Sequence, residues 1–284
     1  MPGLEFDLKH ELNSVGYLSE TCRIEIENLS LKALRSLAQS LAHSLAPDDV
    51  RYLIKLEQNP QAKKLGCWLL VKTDKLPLRD GLGLARHLAL DEDWGVREEV
   101  TYLYRRLMIE HLPEESNEFE REMSIGPSRV KRAIAIGAGR VPTHGIAKKR
   151  PGLGPVLLGI LEHALADPDP YLVKNLGPFA IGSYLLGYFP CTVFPAIERW
   201  AGSPDERVRA TAARSLTAEG SSKDPARATT LALRFLQDDS NIVSRVARRA
   251  VGRLVKKHRA EAMATILDWS RQSPDREQLA AEWL

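Results

Sequence analysis

Cysteine is scarce, with three in 284 residues. An odd, sparse count builds no disulfide framework, and no Cys-x-x-Cys pair or Cys/His cluster has metal-ligand spacing. Neither a metal nor a cofactor is therefore expected, and a reducing, cytoplasmic setting fits. Aromatic residues make up only 6%. The opening MPGLEFDLKH lacks a basic head followed by an apolar stretch, so no secretory signal is expected. No stretch alternates with period two, which argues against a sheet. There is no Gly-x-Ser-x-Gly elbow and no P-loop, and the Gly-Leu-Gly runs at Gly81 and Gly152 are too short for a dinucleotide site. One run lacks charge, from Asn175 to Ile197. It could span a bilayer by length, but Pro178, Pro190 and Pro195 lie within it, and Pro190 should end a helix in its middle. The expectation is a buried pair of helices and no membrane partner.

What is present is ordinary for a folded chain, with 44% hydrophobic and 27% charged residues. A pattern also recurs: a polar cap, often with Pro, then a small or β-branched apolar residue, a base and an apolar stripe. It reads NPQAKKLGCWLL, DEDWGVREEVTYLY, GPSRVKRAIAIG, DPYLVKNLGPFAI, SPDERVRATAARSL and DSNIVSRVARRAV. Anchored on Ala62, Val96, Val130, Val173, Val208 and Val243, the spacings are 34, 34, 43, 35 and 35 residues. Each unit has room for two helices, the first of a pair reading, for example, LRDGLGLARHLAL or ATTLALRFLQ. Asn59-Pro60, Asp169-Pro170, Ser203-Pro204, Asp224-Pro225 and Ser273-Pro274 each place a cap before a Pro at the first helical position. Ser203 with Glu206 also forms a capping-box pattern. The fold expected is all-α: an α-solenoid of about six HEAT-like helix pairs, because one pair cannot bury its own apolar face. Residues 1–58 read as an N-terminal helical cap whose first twenty or so residues are less regular, 59–258 as the repeat array and 259–284 as C-terminal capping helices. Trp68, Trp200 and Trp269, with Cys67 and Cys191, read as core, and Trp283 as docking the last helix.

Charge is unevenly divided. Residues 1–125 hold 16 bases and 22 acids, a balance of −6, whereas residues 126–284 carry +9. Arg129–Arg150 contains seven bases and no acid, and Arg245–Arg259 contains another seven without an acid. Lys63, Arg97, Lys131, Lys174, Arg209 and, one place later, Arg245 occupy matching repeat positions. In a solenoid they would form a row along one curved surface, which suits a polyanion backbone. The competing reading has the same bases bridging neighbouring repeats or solvating a helix face. The long spacing reflects an insertion, RVPTHGIAKKRPGLGP, whose Lys148, Lys149 and Arg150 could reach a second phosphate strand, or which is a tolerated surface loop.

DEDWGVREEV, PSRVKRAIAIG, DPDPYLVKNLGPFAIGSYLL and ERWAGSPDERVRATAARSL, in that order over about residues 50–255, resemble the HEAT-like repeat DNA glycosylases of the alkylation-repair family, the AlkD-like proteins. The resemblance implies a C-shaped solenoid holding duplex DNA on its concave basic face; a monomer is expected, associated with the bacterial nucleoid if DNA binding holds. It further implies hydrolysis of the N-glycosidic bond of cationic N3- or N7-alkylated purines. Such a leaving group needs little general-acid help but does need an anion beside the developing sugar cation. By resemblance, Glu98 would be the electrostatic catalyst and Trp94 the aromatic wall. Four residues apart, they would share one helix face. The residue-level alternative makes Trp94 an inter-repeat packing residue and Glu98 an exposed or ion-paired one. DNA contacts would come from Arg97, Arg129, Lys131, Arg132, Lys148, Lys149, Arg150, Lys174, Arg209, Arg245, Arg248 and Arg249. Two features depart from the family pattern: the carboxylate is Glu rather than Asp, and Pro178, followed by Phe179, stands where a second aromatic wall is expected. A non-catalytic protein that binds distorted DNA, or a protein-binding scaffold, would share the same repeats.

Overall fold

The computed structural model describes residues 2–15, 17–56, 58–73, 76–145, 150 and 152–284, with residues 2 and 13–15 described by their backbone alone. Among the described residues every regular element is helical, as the period-3.6 patterning requires. The chain divides into two compact units, Met1–Leu112 and Pro113–Leu284.

The first unit contains α1 (Pro2–Val15), α2 (Glu20–Glu27), α3 (Leu31–Leu41), α4 (Pro47–Lys55), α5 (Pro60–Lys72), α6 (Leu78–Ala89) and α7 (Trp94–His111). Of the first twenty or so residues, expected to be a less regular part of the helical cap, Pro2–Val15 are helical. Helix α5 is at the centre, packed against α3, α4 and α7. That position explains its sequence: Ala62, Leu65, Cys67, Trp68 and Leu69 are all buried, so apolar residues occur around most of the helix rather than on one stripe. Gly66 allows α4 to approach, since a Cβ there would stand 2.7 Å from Ile54 Cγ1.

The second unit begins with α8 (Ser116–Ile125) and α9 (Ser128–Arg140), followed by a 3-10 turn at Val141–Thr143. Helix α10 (Leu153–Glu162) leads to α11 (Pro170–Asn175), which continues as a π-helical segment, Leu176–Leu185, and then α12 (Leu186–Tyr188). Next come α13 (Pro190–Trp200), α14 (Glu206–Ser215), a 3-10 turn at Glu219–Lys223, α15 (Pro225–Leu236), α16 (Asn241–Lys257), α17 (Arg259–Ser270) and α18 (Pro274–Ala280). Helix α9 packs on the π-helical segment, which packs on α14, which packs on α16. Small residues make these approaches close: a Cβ on Gly139 would lie 2.9 Å from Ala180 Cα, and one on Gly177 would lie 3.1 Å from the Thr211 carbonyl. The charge-free run is buried through Leu176, Ala180, Ile181, Leu185 and Leu186 and is broken at Pro190, the first residue of α13. No helix among the described residues is long and apolar enough to cross a membrane.

The caps largely match the sequence. Asn59, Asp169, Asp224 and Ser273 each accept a backbone N–H from the first turn of α5, α11, α15 and α18. Ser203 does not cap α14: the helix begins at Glu206, and Asp205 accepts from Arg207 N. The Ser203 hydroxyl accepts from Asp205 N instead, so Pro204 lies outside the helix. Trp68, Trp200 and Trp269 are buried, and the half-buried Trp283 indole nitrogen lies 3.9 Å from where a Cβ on Gly252 would be. Cys67 is buried, but Cys191 is exposed, because the second residue of α13 faces outward although it lies in a largely apolar stretch.

Candidate nucleic-acid interface

The turns that open three of the second helices share one construction: Asp91-Glu92-Asp93, Asp167-Pro168-Asp169 and Asp238-Asp239-Ser240. In each, the first Asp accepts the backbone N–H two residues on, at 2.8–2.9 Å. The third residue then caps the helix, through Val96 N, Leu172 N and Ile242 N respectively. The other oxygen of the first Asp takes a base from the preceding repeat, and in Asp238 both oxygens do. Lys63 meets Asp91 at 2.6 Å, Lys131 meets Asp167 at 2.8 Å, and Arg209 meets Asp238 through two nitrogens at 2.7 and 3.0 Å. Burial would raise the Asp238 carboxyl, but Arg209 and the Ser240 N–H outweigh it and hold it below the usual carboxylate range.

These ladders take up three of the six bases in the row. Asp91 and Asp238 stand five residues before Val96 and Val243, and Asp167 six before Val173; in the repeats that follow Arg97 and Lys174 the place five residues before the anchor holds Ile125 and Ser203, not an acid. Arg97 folds back on its own turn, its Nη1 donating to the carbonyls of Asp91 and Glu92 at 2.7 Å each. Lys174 is exposed and makes no hydrogen bond or ion pair with any described residue, and Arg207, Arg245 and Arg249 are like it. Arg248 is paired with Glu282. Arg132 is buried, its guanidinium carbon 4.6 Å from the Tyr171 ring centroid. Arg129, Arg140 and Arg150 each hold a contact within the protein. Lys148 and Lys149 lie outside the described residues. The second helices of the second unit thus carry cations at Lys174, Arg207, Arg245 and Arg249 with no partner among the described residues, while Lys131 and Arg209 are turned inward.

Trp94 is the first residue of α7 and is 62% exposed, so it does not pack between repeats. Glu98, one turn on, is half-buried and engaged within the protein. Asp93 at the cap is paired with Lys64 at 3.2 Å, and burial of its carboxyl is outweighed by the Val96 N–H and by Lys64, so its pKa is lowered. The carboxylate with the more elaborate surroundings is the next one, Glu99, at 5% exposure. It accepts the Trp68 indole N–H and Arg35 Nη2, the latter at 3.0 and 3.3 Å from its two oxygens. Arg35 in turn lies 4.5 Å from the Trp68 ring centroid and 5.4 Å from that of Tyr102. Sequence reasoning missed this cluster, although Val96, Glu99, Val100 and Leu103 fall on one helical stripe and would have marked Glu99 as inward. Pro178 and Phe179 are both half-buried in the π-helical segment, and Phe179 meets Tyr184 edge-on at 4.8 Å between centroids. Among the described residues no group of His, Cys, Asp and Glu could hold a metal ion.

No protein-family model matches the chain, and no curated protein matches it.

Proposed function

We propose that the chain is an α-solenoid of about six HEAT-like helix pairs that binds duplex DNA through the phosphate backbone, as its resemblance to the alkylation-repair glycosylases implies. The observation carrying this reading is the separation of the bases into two kinds. Those with an acid in the next repeat stabilise the stack, and Lys174, Arg207, Arg245 and Arg249 remain exposed with no partner among the described residues. Cations so placed release counterions from a polyanion, and binding then weakens with log salt at about 0.9 per phosphate contacted. The test is duplex binding measured from 50 to 200 mM salt. A steep loss of affinity supports the reading, and no binding at 50 mM overturns it.

The second reading is hydrolysis of the N-glycosidic bond of cationic alkylpurines. It is favoured by an exposed Trp94 one helical turn from Glu98, an aromatic face beside a carboxylate. Release of free methylpurine from alkylated duplex, lost in Glu98→Gln, supports it. Equal release by both proteins removes Glu98 from the chemistry, and no release by the wild type removes the activity.

A further inference from the structure

In the second unit a groove runs along α14, from Glu206 to Arg214, beside the starts of α11 and α16. Pro168, Pro170, Val173 and Ile242 contribute its apolar walls, and Arg207 and Arg214 its cations. Ile242 also lines the adjoining hollow that holds Arg245. Arg214 is half-buried and makes no side-chain hydrogen bond or ion pair with any described residue. Burial, and after it the charge of Arg245, pull the Arg214 pKa down. A guanidinium that is partly desolvated, unpartnered and beside a second guanidinium is destabilising unless an anion joins them. The acids that line the groove do not supply it. Asp167 is held by Lys131 and the Asp169 N–H, and Glu206 accepts the Ser240 hydroxyl at 2.8 Å.

We infer that this groove is a phosphate site, and that it takes the monoester phosphate at a nucleic-acid strand end in preference to an internal phosphodiester. The inference rests on the DNA-binding reading. Arg207, Arg214 and Arg245 against Glu206 leave two positive charges, which match a monoester dianion and exceed the single charge of a diester. Arginine forks also suit the three free oxygens of a terminal phosphate, whereas an internal diester presents two.

Two duplexes of one sequence, ending in 5′-phosphate or 5′-hydroxyl, would be compared at one ionic strength. The wild type should bind the phosphorylated duplex about tenfold more tightly, the worth of one charge-assisted contact. Arg214→Gln and Arg245→Gln should each bring the two ends within about twofold. The preference should fade as pH falls through about 6, where the monoester gains a proton. Equal affinities for the two ends in the wild type overturn the inference while leaving DNA binding intact. If neither duplex binds, the DNA reading fails, and inorganic phosphate decides the site alone. A rise in the thermal midpoint over chloride at equal ionic strength, lost in Arg245→Gln, retains the phosphate site. No rise overturns it.

Discussion

Arg209 and Asp238, 29 residues apart, join consecutive repeats through two hydrogen bonds, and Arg209 also reaches back to the carbonyls of Ser203 and Pro204 at 2.8 and 3.1 Å. One guanidinium therefore fastens its own turn and the next. With exposures of 18% and 10%, the pair is sheltered enough that removing one partner leaves a poorly solvated charge. Asp238→Ala should cost about 3 kcal/mol, and Lys174→Ala, at an exposed base, less than about 0.5 kcal/mol. Urea unfolding of the two variants gives the comparison.

The same turns set an acid limit. The folded pKa of Asp93, Asp169 and Asp238 lies below the unfolded value, because backbone N–H donors or bases outweigh burial in each. A depressed carboxyl stabilises fully above the unfolded pKa, about 3.9, and loses that contribution as pH falls through the folded value. The thermal midpoint should be level from about pH 7 to 5 and fall below about pH 4. In Asp238→Asn the fall should be smaller, since one of the titrating groups is gone.

Adjacent glutamates on α7 should behave oppositely. Glu99→Ala strands the buried Trp68 N–H and unpairs Arg35, at a cost of about 3 kcal/mol. Glu98→Gln should leave stability within about 1 kcal/mol, because it keeps the side chain's size and hydrogen-bonding oxygen. Thermal unfolding of both variants separates a structural carboxylate from a candidate functional one.

Thiol reactivity distinguishes the cysteines. Burial pushes the Cys67 thiol far up, and burial with a bond to Glu11 pushes Cys22 to about 11, so neither offers thiolate at neutral pH. Cys191 is exposed. A disulfide reagent should modify one thiol quickly in the native protein and the other two only on unfolding.

Much of the helical architecture was legible because its causes are local. Apolar period, Asn-Pro or Asp-Pro starts and repeat spacing act within a few residues, and Asn59, Asp169 and Asp224 cap where the sequence says. Where two local solutions compete the sequence does not choose: Ser203 and Asp205 both can cap, and the helix takes the later one. The outward face of Cys191 and the π-helical run at Leu176–Leu185 depend on packing partners far along the chain. Pro178 has no N–H for the carbonyl one turn back, and its own carbonyl accepts the Ser183 hydroxyl at 3.0 Å. The row of bases was visible, but its division was not read, because it depends on Asp91, Asp167 and Asp238 standing in the next repeat and on Ile125 and Ser203 standing elsewhere. For the candidate site, Trp94 and Glu98 were named by resemblance to the alkylation-repair family, whereas Glu99 required knowing which face of α7 is buried.

The most direct measurement is the salt dependence of duplex binding in two matched proteins. One carries Lys174→Ala with Arg245→Ala and Arg249→Ala, and the other carries Lys131→Met with Arg209→Met. Removing the three exposed bases should flatten the log affinity against log salt slope by about 0.9 for each phosphate lost. Replacing the two ladder bases should lower stability and leave that slope unchanged in the folded protein. Equal slopes for the wild type and the exposed-base variant, or a flattened slope in the ladder variant alone, would contradict the assignment.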